Sequence, residues 1–177
     1  MVSDKNVIGG HDGMNFVVES ERLLLRQFEI ADVEEYYQMT RDPLIQYYVS
    51  HAYETTIEET YEAFELSYSV KNNPYDFYLI LEHKETHKIV GAIISTACKT
   101  SPLTLDVGIL TAAEYRRQGY MFEALMAFKD AIPQGTELLF AIKKENLASI
   151  KTVTKLPGLV EKPLAGQTEF LQYSLTT

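Results

Sequence analysis

The apolar residues of this 177-residue chain recur with two different spacings, which alternate along the chain. Apolar residues that alternate with polar ones, or form short aliphatic runs, predict β-strands, whereas apolar residues three and four positions apart predict helices. These patterns predict six strands, over residues 16–28, 76–82, 88–97, 105–110, 137–142 and 169–175, with an irregularity near Ser20 in the first. They predict helices over residues 29–40 and after residues 56, 120 and 146.

Turn and capping residues set the ends of several of these elements. Thr56 followed by Glu59 forms a capping box that begins a helix, and Asn72-Asn73-Pro74 ends it. Pro133-Gln134-Gly135 ends the helix that follows residue 120. A turn at Asp42-Pro43 leads into an aromatic stretch over residues 44–51, to which we assign neither helix nor strand.

The predicted order is strand, two helices, three strands, helix, strand, helix, strand. This order indicates an α+β fold with a mixed sheet, because strands joined by a short turn pair antiparallel and strands that flank a crossover helix run parallel. Residues 1–14 contain three glycines and show no periodicity, so we predict a mobile N-terminal arm followed by a single domain over 15–177.

Composition narrows the classes of function. Sixteen basic and 25 acidic residues give a net charge of −9, which argues against general nucleic-acid binding and would tolerate a cationic partner. The single cysteine, Cys98, cannot form an internal disulfide and suits a reducing compartment. No run approaches the ~20 apolar residues of a membrane span, and the polar N-terminus lacks a signal-peptide core. We therefore expect a cytoplasmic protein that binds no membrane. The scattered histidines predict no metal site.

The stretch from Leu105 to Ala131 carries the clearest chemical signal. A strand is followed by a basic loop with one glycine, Arg116 through Tyr120, and then by a helix. The first N–H groups of a helix lack partners inside the helix, and the helix dipole is positive at that end, so this arrangement can hold a phosphate. The loop has neither the Lys-Ser or Lys-Thr pair of a nucleoside-triphosphate P-loop nor the GxGxxG pattern of dinucleotide-binding proteins.

Three segments resemble the GNAT superfamily of acyl-CoA-dependent N-acetyltransferases. The basic loop resembles the family's pyrophosphate motif Q/R-x-x-G-x-G/A, with Arg116 first, Gly119 fourth and Met121 where a small residue is usual. Residues 21–26, Glu-Arg-Leu-Leu-Leu-Arg, are similar to the opening of the ribosomal-protein N-acetyltransferase branch, the RimJ/RimL-like proteins. The segment that begins at Asn146 is similar to a third family motif, N-x-x-S followed by a helix and K-L-G-F.

The resemblance covers residues 16–175 and implies the GNAT fold, a twisted mixed sheet of six to seven strands with helices on both faces. It also implies acetyl-CoA as the cosubstrate and no metal. The backbone of Ile109, Leu110 and Thr111 would then pair with the pantetheine arm of CoA. The residues expected at the CoA phosphates or elsewhere on CoA are Arg116, Arg117, Gln118, Gly119, Tyr120, Met121 and Asn146.

Direct acetyl transfer to an amine requires a group that takes the amine's proton. Asp106 is our first candidate, because it interrupts an apolar strand just before the loop and burial there would raise its pKa; the competing interpretation is an aspartate that faces solvent. Glu82 is the second candidate. Many GNAT enzymes place a tyrosine acid seven residues after the asparagine, where this chain has Val153.

The acceptor is expected to be a primary amine, either a small molecule or a protein N-terminus. The group Tyr36, Tyr37, Tyr47, Tyr48 and Tyr53 is interpreted either as core or as the wall of the acceptor site. Two other classes of function stay open: a module that binds acyl-CoA without turnover, and a structural domain, which would leave the basic loop unexplained. The oligomeric state is also open, with a homodimer as one option.

Overall fold

The computed structural model describes residues 16–49, 56–68, 76–163, 166 and 169–177. Eight strands form one sheet in the order β1-β2-β3-β4-β5-β6-β8-β7. The strands are β1 (Val17–Glu19), β2 (Leu23–Gln27), β3 (Phe77–His83), β4 (Ile89–Cys98), β5 (Ser101–Thr111), β6 (Glu137–Lys143), β7 (Val160–Lys162) and β8 (Phe170–Thr176). The helices are α1 (Val33–Thr40), α2 (Pro43–Tyr48), α3 (Ile57–Ala63), α4 (Tyr120–Ala131) and α5 (Leu147–Val153).

The strand directions are mixed, as predicted. Each pair of neighbours in the sheet is antiparallel except β5 and β6, which run parallel. Helix α4 connects these two strands, and a crossover helix is what allows consecutive strands to run parallel. The predicted helix after residue 120 and the strands on either side of it are therefore confirmed.

Two apolar cores lie on opposite faces of the sheet, as predicted for helices on both faces. In β3, Leu79 and Leu81 face the core that contains α4, whereas Ile80 between them faces the core that contains α1. Successive side chains of a strand point to opposite faces, so a strand covered on both sides is apolar without interruption. Phe128 on α4 and Tyr36 on α1 are the largest fully buried side chains of the two helices.

The first predicted strand, residues 16–28, is wrong in one respect: it is two strands joined by a tight turn. Ser20 closes the turn, because its N–H donates to the Leu23 carbonyl oxygen at 2.9 Å and its hydroxyl oxygen accepts from the Leu23 N–H at 3.1 Å. A serine side chain that bonds to nearby backbone competes with a continuous strand. β1 and β2 consequently pair with each other, Val18 opposite Leu25.

The structure also contains two elements that the sequence did not predict. Helix α2 lies in the aromatic stretch; the Asp42 side chain caps it by accepting from the N–H groups of Leu44 and Ile45 at 2.9 and 3.1 Å, and Pro43 is its first residue. Strand β7 is three exposed residues at the sheet edge beside β8. With the divided first strand, it brings the sheet to eight strands.

The capping box at the start of α3 is confirmed. The Thr56 hydroxyl accepts from the Glu59 N–H at 3.2 Å, and the Glu59 carboxylate accepts from the Thr56 N–H at 3.3 Å. A wider turn over Phe64–Tyr68 follows the helix, and its predicted end at residues 72–74 lies outside the described residues. The predicted arm at residues 1–14 also lies outside them. Within the described ranges, no helix is both long and apolar enough to cross a membrane.

Gly91 in β4 gives a prediction about stability. A Cβ atom on Gly91 would lie 2.2 Å from the Leu110 carbonyl oxygen of β5, so Gly91→Ala must push two core strands apart. We expect a loss of about 1–3 kcal/mol in the free energy of unfolding by urea. Gly108→Ala is the matched control in β5, because a Cβ atom there would lie 3.7 Å from its nearest neighbour, the Ile94 carbonyl oxygen. We expect the free energy of unfolding to change by no more than about 0.5 kcal/mol. Equal stability of the two variants would contradict this account.

Candidate functional site

The sheet opens between its two parallel strands. β5 and β6 pair only where Thr104, Leu105 and Asp106 lie opposite residues 137–139. Beyond that point β6 continues beside β8, and β5 continues beside β4 as far as Thr111. Residues 107–111 of β5 therefore have one edge with no strand beside it among the described residues. Such an edge presents unpaired N–H and C=O groups to which an extended ligand can hydrogen-bond as an added strand.

The three residues predicted to bind through their backbone all lie on this edge. Ile109 packs against the core on the α4 side, and Leu110 is buried in the core on the α1 side. The Thr111 carbonyl oxygen accepts from Nε of Arg116 at 3.2 Å. Because the side chains of Ile109 and Leu110 pack in the two cores, a ligand along the edge would meet mainly the backbone of these two residues.

The predicted phosphate loop leads from the end of β5 to the N-terminus of α4. The N–H groups of residues 117–122 have no hydrogen-bond partner in the described part of the chain, and the first bond of the helix runs from the Glu123 N–H to the Gly119 oxygen at 3.0 Å. Gly119 has φ 83° and ψ −2°, a left-handed conformation that favours glycine. Unpartnered N–H groups and a positive helix end together form an anion site.

The two arginines of the loop play different structural roles. Arg116 is half-buried and ion-paired: its Nη2 atom lies 2.8 Å from Oδ1 of Asp42. The same hydrogen bond holds the pKa of Asp42 below its ordinary value and so keeps the α2 cap charged. Arg117 is exposed, has φ 63°, and makes no side-chain contact with the described residues. The free positive charge of the loop therefore comes from Arg117, because Asp42 neutralises Arg116.

The side chains of the other loop residues predicted at the phosphates either bond to nearby backbone or are buried in the core. Gln118 is exposed, and its side-chain amide donates to the Glu114 carbonyl oxygen at 2.7 Å. Tyr120 and Met121 are both buried in the core on the α4 side. Met121 thus directs its side chain into the protein, so the larger residue at this family position leaves the N–H groups of the loop exposed to a ligand.

Sequence reasoning missed a further residue at this loop, Arg22. Its Nε atom donates to Oε2 of Glu123 at 2.7 Å and its Nη1 atom to the Gln118 carbonyl oxygen at 3.1 Å. Its guanidinium also lies 4.0 Å from the centroid of the Tyr120 ring. Arg22 is the first arginine of the Glu-Arg-Leu-Leu-Leu-Arg segment. That segment was the available signal, but nothing in the sequence shows that it meets a loop about ninety-five residues later.

Asn146 occupies the start of α5, as predicted for a capping residue. Its side-chain oxygen accepts from the Ser149 N–H at 3.1 Å. The amide nitrogen of the same side chain has no partner in the described part of the chain and is available to a ligand. Val153, where many family members have a tyrosine, is fully buried.

Asp106 lies at the last β5 position that pairs with β6, where the two strands begin to part. Its side chain is exposed, so the burial assumed in the sequence argument is absent. Its Oδ2 atom lies 3.6 Å from Sγ of Cys98, and burial together with the Asp106 charge raises the pKa of the Cys98 thiol. The carboxylate is open to an incoming amine.

Glu82 is in a different environment. Its Oε2 atom accepts from Nε of Arg26, and its Oε1 atom lies 2.7 Å from Nδ1 of His87. Burial alone would raise the pKa of Glu82, but the hydrogen bonds with His87 and Arg26 outweigh it and lower the pKa. Glu82 lies opposite Ile89. Asp106 lies opposite Thr96, seven residues further along β4 and hence roughly 23 Å away. The geometry therefore favours Asp106 at the opening.

The tyrosine group also separates. Tyr36 is buried in the core, whereas Tyr47 is 56% exposed and its hydroxyl lies 3.0 Å from Oε2 of Glu145. The Tyr47 carbonyl oxygen accepts from Nζ of Lys143 at 2.7 Å. These contacts connect α2 to the segment after β6, so Tyr47 and Tyr48 lie beside the opening, as an acceptor wall would. Tyr53 lies outside the described residues.

No group of three or more histidine, cysteine, aspartate or glutamate side chains is arranged to hold a metal ion in the ranges that the structure describes. The candidate site brings together a free strand edge, a helix N-terminus with the exposed Arg117, the capping Asn146 and the exposed Asp106.

Solved structures share this fold. An acetyltransferase of the GNAT family from Bacillus anthracis superposes with a TM-score of 0.72 at 21% identity, over 90% of this chain and 98% of that one. RimL, the ribosomal L7/L12 alpha-N-protein acetyltransferase, gives a TM-score of 0.72 at 16% identity, over 97% and 100%. The ribosomal-protein-S5-alanine acetyltransferase from Vibrio fischeri gives 0.68 at 20%, over 90% and 96%. At these identities the likeness is one of fold.

Comparison with curated proteins finds no match. The family model of the acetyltransferase (GNAT) domain matches residues 22–157, which include the opening of the sheet, the loop, α4 and the start of α5. GNAT domains use acetyl-CoA as a cosubstrate and act on amine acceptors. On this match over more than half of its length, the chain belongs to the GNAT acetyltransferase family and is an acetyltransferase.

Proposed function

We propose that this acetyltransferase moves an acetyl group from acetyl-CoA to a primary amine by direct attack of the amine nitrogen on the thioester carbonyl. The observation that carries the proposal is the free edge of β5, which runs from Asp106 at the point of opening to the unpartnered N–H groups before α4. One ligand with an extended arm and a pyrophosphate could hydrogen-bond both to the free edge of β5 and to these N–H groups. Acetyl-CoA has this shape, with its thioester at the end remote from the phosphates.

The loop would hold the phosphate end. The N–H groups of residues 117–121 would donate to the pyrophosphate, Arg117 would add charge, and Ile109 through Thr111 would bond the pantetheine arm through their backbone. The Asn146 side-chain amide would donate to CoA from the start of α5. A strand N–H near the thioester would also stabilise the negative charge that develops on the carbonyl oxygen.

Asp106 would take the proton of the acceptor. A lysine-like ammonium has a pKa of ~10.4 and must lose a proton before its nitrogen can attack. An exposed carboxylate at the opening can bind the ammonium and accept this proton directly or through an ordered water. The bond from carbonyl carbon to nitrogen then forms, the bond from carbon to sulfur breaks, and the CoA thiolate takes up a proton. Glu82 is the alternative base, and its two hydrogen-bonded oxygens disfavour it.

The acceptor is either a protein N-terminus or a small-molecule amine. The sequence similarity to the RimJ/RimL-like branch and the structural likeness to RimL support a protein N-terminus. The net charge of −9 suits any cationic acceptor. The oligomeric state, with a homodimer as one option, is left to measurement.

A second function, an acyl-CoA-binding module with little turnover, has one observation in its favour. Val153 occupies the position of the usual tyrosine acid and is fully buried, so no side chain there can protonate the leaving thiolate.

One experiment separates these functions. CoA at 100 times its Kd stabilises a binding protein by about 2.7 kcal/mol, which raises the Tm of a domain of this size by about 5–10 °C. Release of free thiol from acetyl-CoA is then followed over peptides, polyamines, amino acids and aminoglycosides. Amine-dependent thiol release supports the enzyme, stabilisation without release supports the module, and no stabilisation contradicts CoA binding.

Arg117 provides a prediction about the phosphate loop. Arg117→Gln should weaken CoA binding by about 3- to 10-fold at low ionic strength, and the difference from wild type should shrink as salt screens the charge. Lys99→Gln is the control, because this residue lies in the turn between β4 and β5, at the other end of β5 from the loop. Calorimetric titration at two salt concentrations measures both. Equal affinities of wild type and Arg117→Gln at low salt would remove Arg117 from the site.

Asp106 provides a prediction about the chemical step. Asp106→Asn keeps the side-chain shape but cannot accept a proton, so turnover should fall by about 10²–10⁴-fold while CoA affinity stays constant. The deficit should shrink as the pH approaches the acceptor's pKa, where free amine is abundant. A pH–rate profile of the variant, beside Glu82→Gln, measures this. Normal turnover by Asp106→Asn with a pH-dependent loss in Glu82→Gln would transfer the role to Glu82.

A further inference from the structure

Arg22, in the turn between β1 and β2, contacts three parts of the phosphate loop and of α4. Its guanidinium bonds to the Glu123 carboxylate and the Gln118 carbonyl oxygen, and it covers the Tyr120 ring. Its backbone N–H donates to Oε1 of Glu123 at 2.7 Å, and the Ser20 hydroxyl donates to the same oxygen at 2.6 Å. The turn is therefore bonded to the first turn of α4.

The hydrogen bonds from Ser20 and Arg22 keep the half-buried Glu123 carboxylate charged. Burial alone would raise the pKa of Glu123, but the hydrogen bonds from Ser20 and Arg22 outweigh it and hold the pKa below its ordinary value. Glu123 thus acts as a fixed anion one turn into α4. The Arg22 guanidinium bonds to Glu123 through Nε and, through Nη1, to the Gln118 carbonyl oxygen, which lies in the loop itself.

The loop is held at both ends. Arg116 fastens its beginning to Asp42 and Thr111, and Arg22 fastens its end at Gln118 and Tyr120. Between these two points the backbone takes positive φ at Arg117 and again at Gly119. A positive φ is unfavourable for a residue with a side chain and persists only where surrounding contacts enforce it. The contacts of Arg22 and Arg116 lie on either side of Arg117 and can restrain its backbone.

We infer that Arg22 is a positioning residue for acyl-CoA: it fixes the geometry of the N–H groups at the start of α4 that would hold the pyrophosphate. The inference rests on the proposed function, because it assigns Arg22 to the same site. Arg22 acts through the loop, so its removal should affect ligands that carry the pyrophosphate and spare those that lack it. An arginine is suited to this role, because a planar guanidinium can bond at several edges and stack on a ring at once.

The turn between β1 and β2 is also held by Lys84, which makes no hydrogen bond to the described loop residues and so provides a matched control. Nζ of Lys84 donates to the Ser20 carbonyl oxygen at 2.7 Å and to Oε2 of Glu19 at 2.9 Å. Lys84→Met therefore loosens the same turn without touching the loop. Arg22→Gln removes the loop contacts, and Arg22→Lys keeps a charge for Glu123 but cannot also bond to Gln118 and stack on Tyr120.

The experiment compares two donors, acetyl-CoA and acetyl-pantetheine, which lacks the pyrophosphate. For Arg22→Gln we expect KM for acetyl-CoA and Kd for CoA to rise about 10-fold or more, with kcat nearly unchanged and with kcat/KM for acetyl-pantetheine unchanged. Arg22→Lys should lie between wild type and Arg22→Gln, and Lys84→Met should stay within twofold of wild type. Glu123→Gln repeats the test from the partner residue if Arg22→Gln does not fold.

Two results would overturn the inference. One is unaltered CoA affinity in Arg22→Gln, and the other is an equal loss with both donors, which would indicate general damage to the fold. NMR order parameters of the Gln118, Gly119 and Tyr120 amides in the free protein give a reading that needs no CoA, and they should fall in Arg22→Gln and stay constant in Lys84→Met. If wild type does not bind CoA, the proposed function fails. Unchanged order parameters would overturn the positioning role by themselves.

Discussion

The parting of β5 from β6 after Asp106 is the constraint on which the rest of the site depends. Each strand keeps a complete partner on its other side, β4 for β5 and β8 for β6, so the gap leaves neither strand without a neighbour. Contacts of Tyr47 with Lys143 and Glu145 tie α2 to the far side of the gap. The free edge of β5 is therefore a stable part of the fold that an extended ligand can complete.

Three arginines form four ion pairs that connect the segments around this opening. Arg116 pairs with Asp42 at one end of the loop, and Arg22 pairs with Glu123 at the other. Arg26 bonds Asp32 before α1 and Glu82 in β3, both at 2.7 Å. Pairs of this kind contribute little net stability compared with apolar packing, but loss of one partner leaves a costly uncompensated charge. Their value here is geometric, because each arginine joins at least one pair of segments that are distant in the chain.

The two candidate carboxylates have different surroundings. Glu82 has both oxygens engaged by Arg26 and His87, which lowers its pKa and leaves no oxygen free for a substrate proton. Asp106 is exposed where the strands part, and among the described residues its one side-chain hydrogen-bond partner is the weak Cys98 donor. A base must reach the proton it removes, so accessibility separates them before basicity does.

The fold class, most of the elements and the expectation of a phosphate-binding loop could be inferred from the sequence alone, because these depend on local signals. Apolar spacing predicted α1, α4 and the central strands, the capping box predicted α3, and the basic residues, Gly119 and the helix start that follows them indicated the loop. A glycine turn and a helix start each depend on a few consecutive residues, so the local sequence suffices to predict them. The resemblance of short motifs then identified the family.

Which charged side chains are paired and which are free becomes evident only in the folded protein. In the sequence Arg116 and Arg117 are equivalent, but Asp42, seventy-four residues away, neutralises the first and leaves the second exposed. Arg22 reaches the loop across about a hundred residues, and Asp106 is exposed in spite of its apolar strand. A side chain's partner and burial depend on segments that are brought together only when the sheet forms, and no local pattern encodes that proximity.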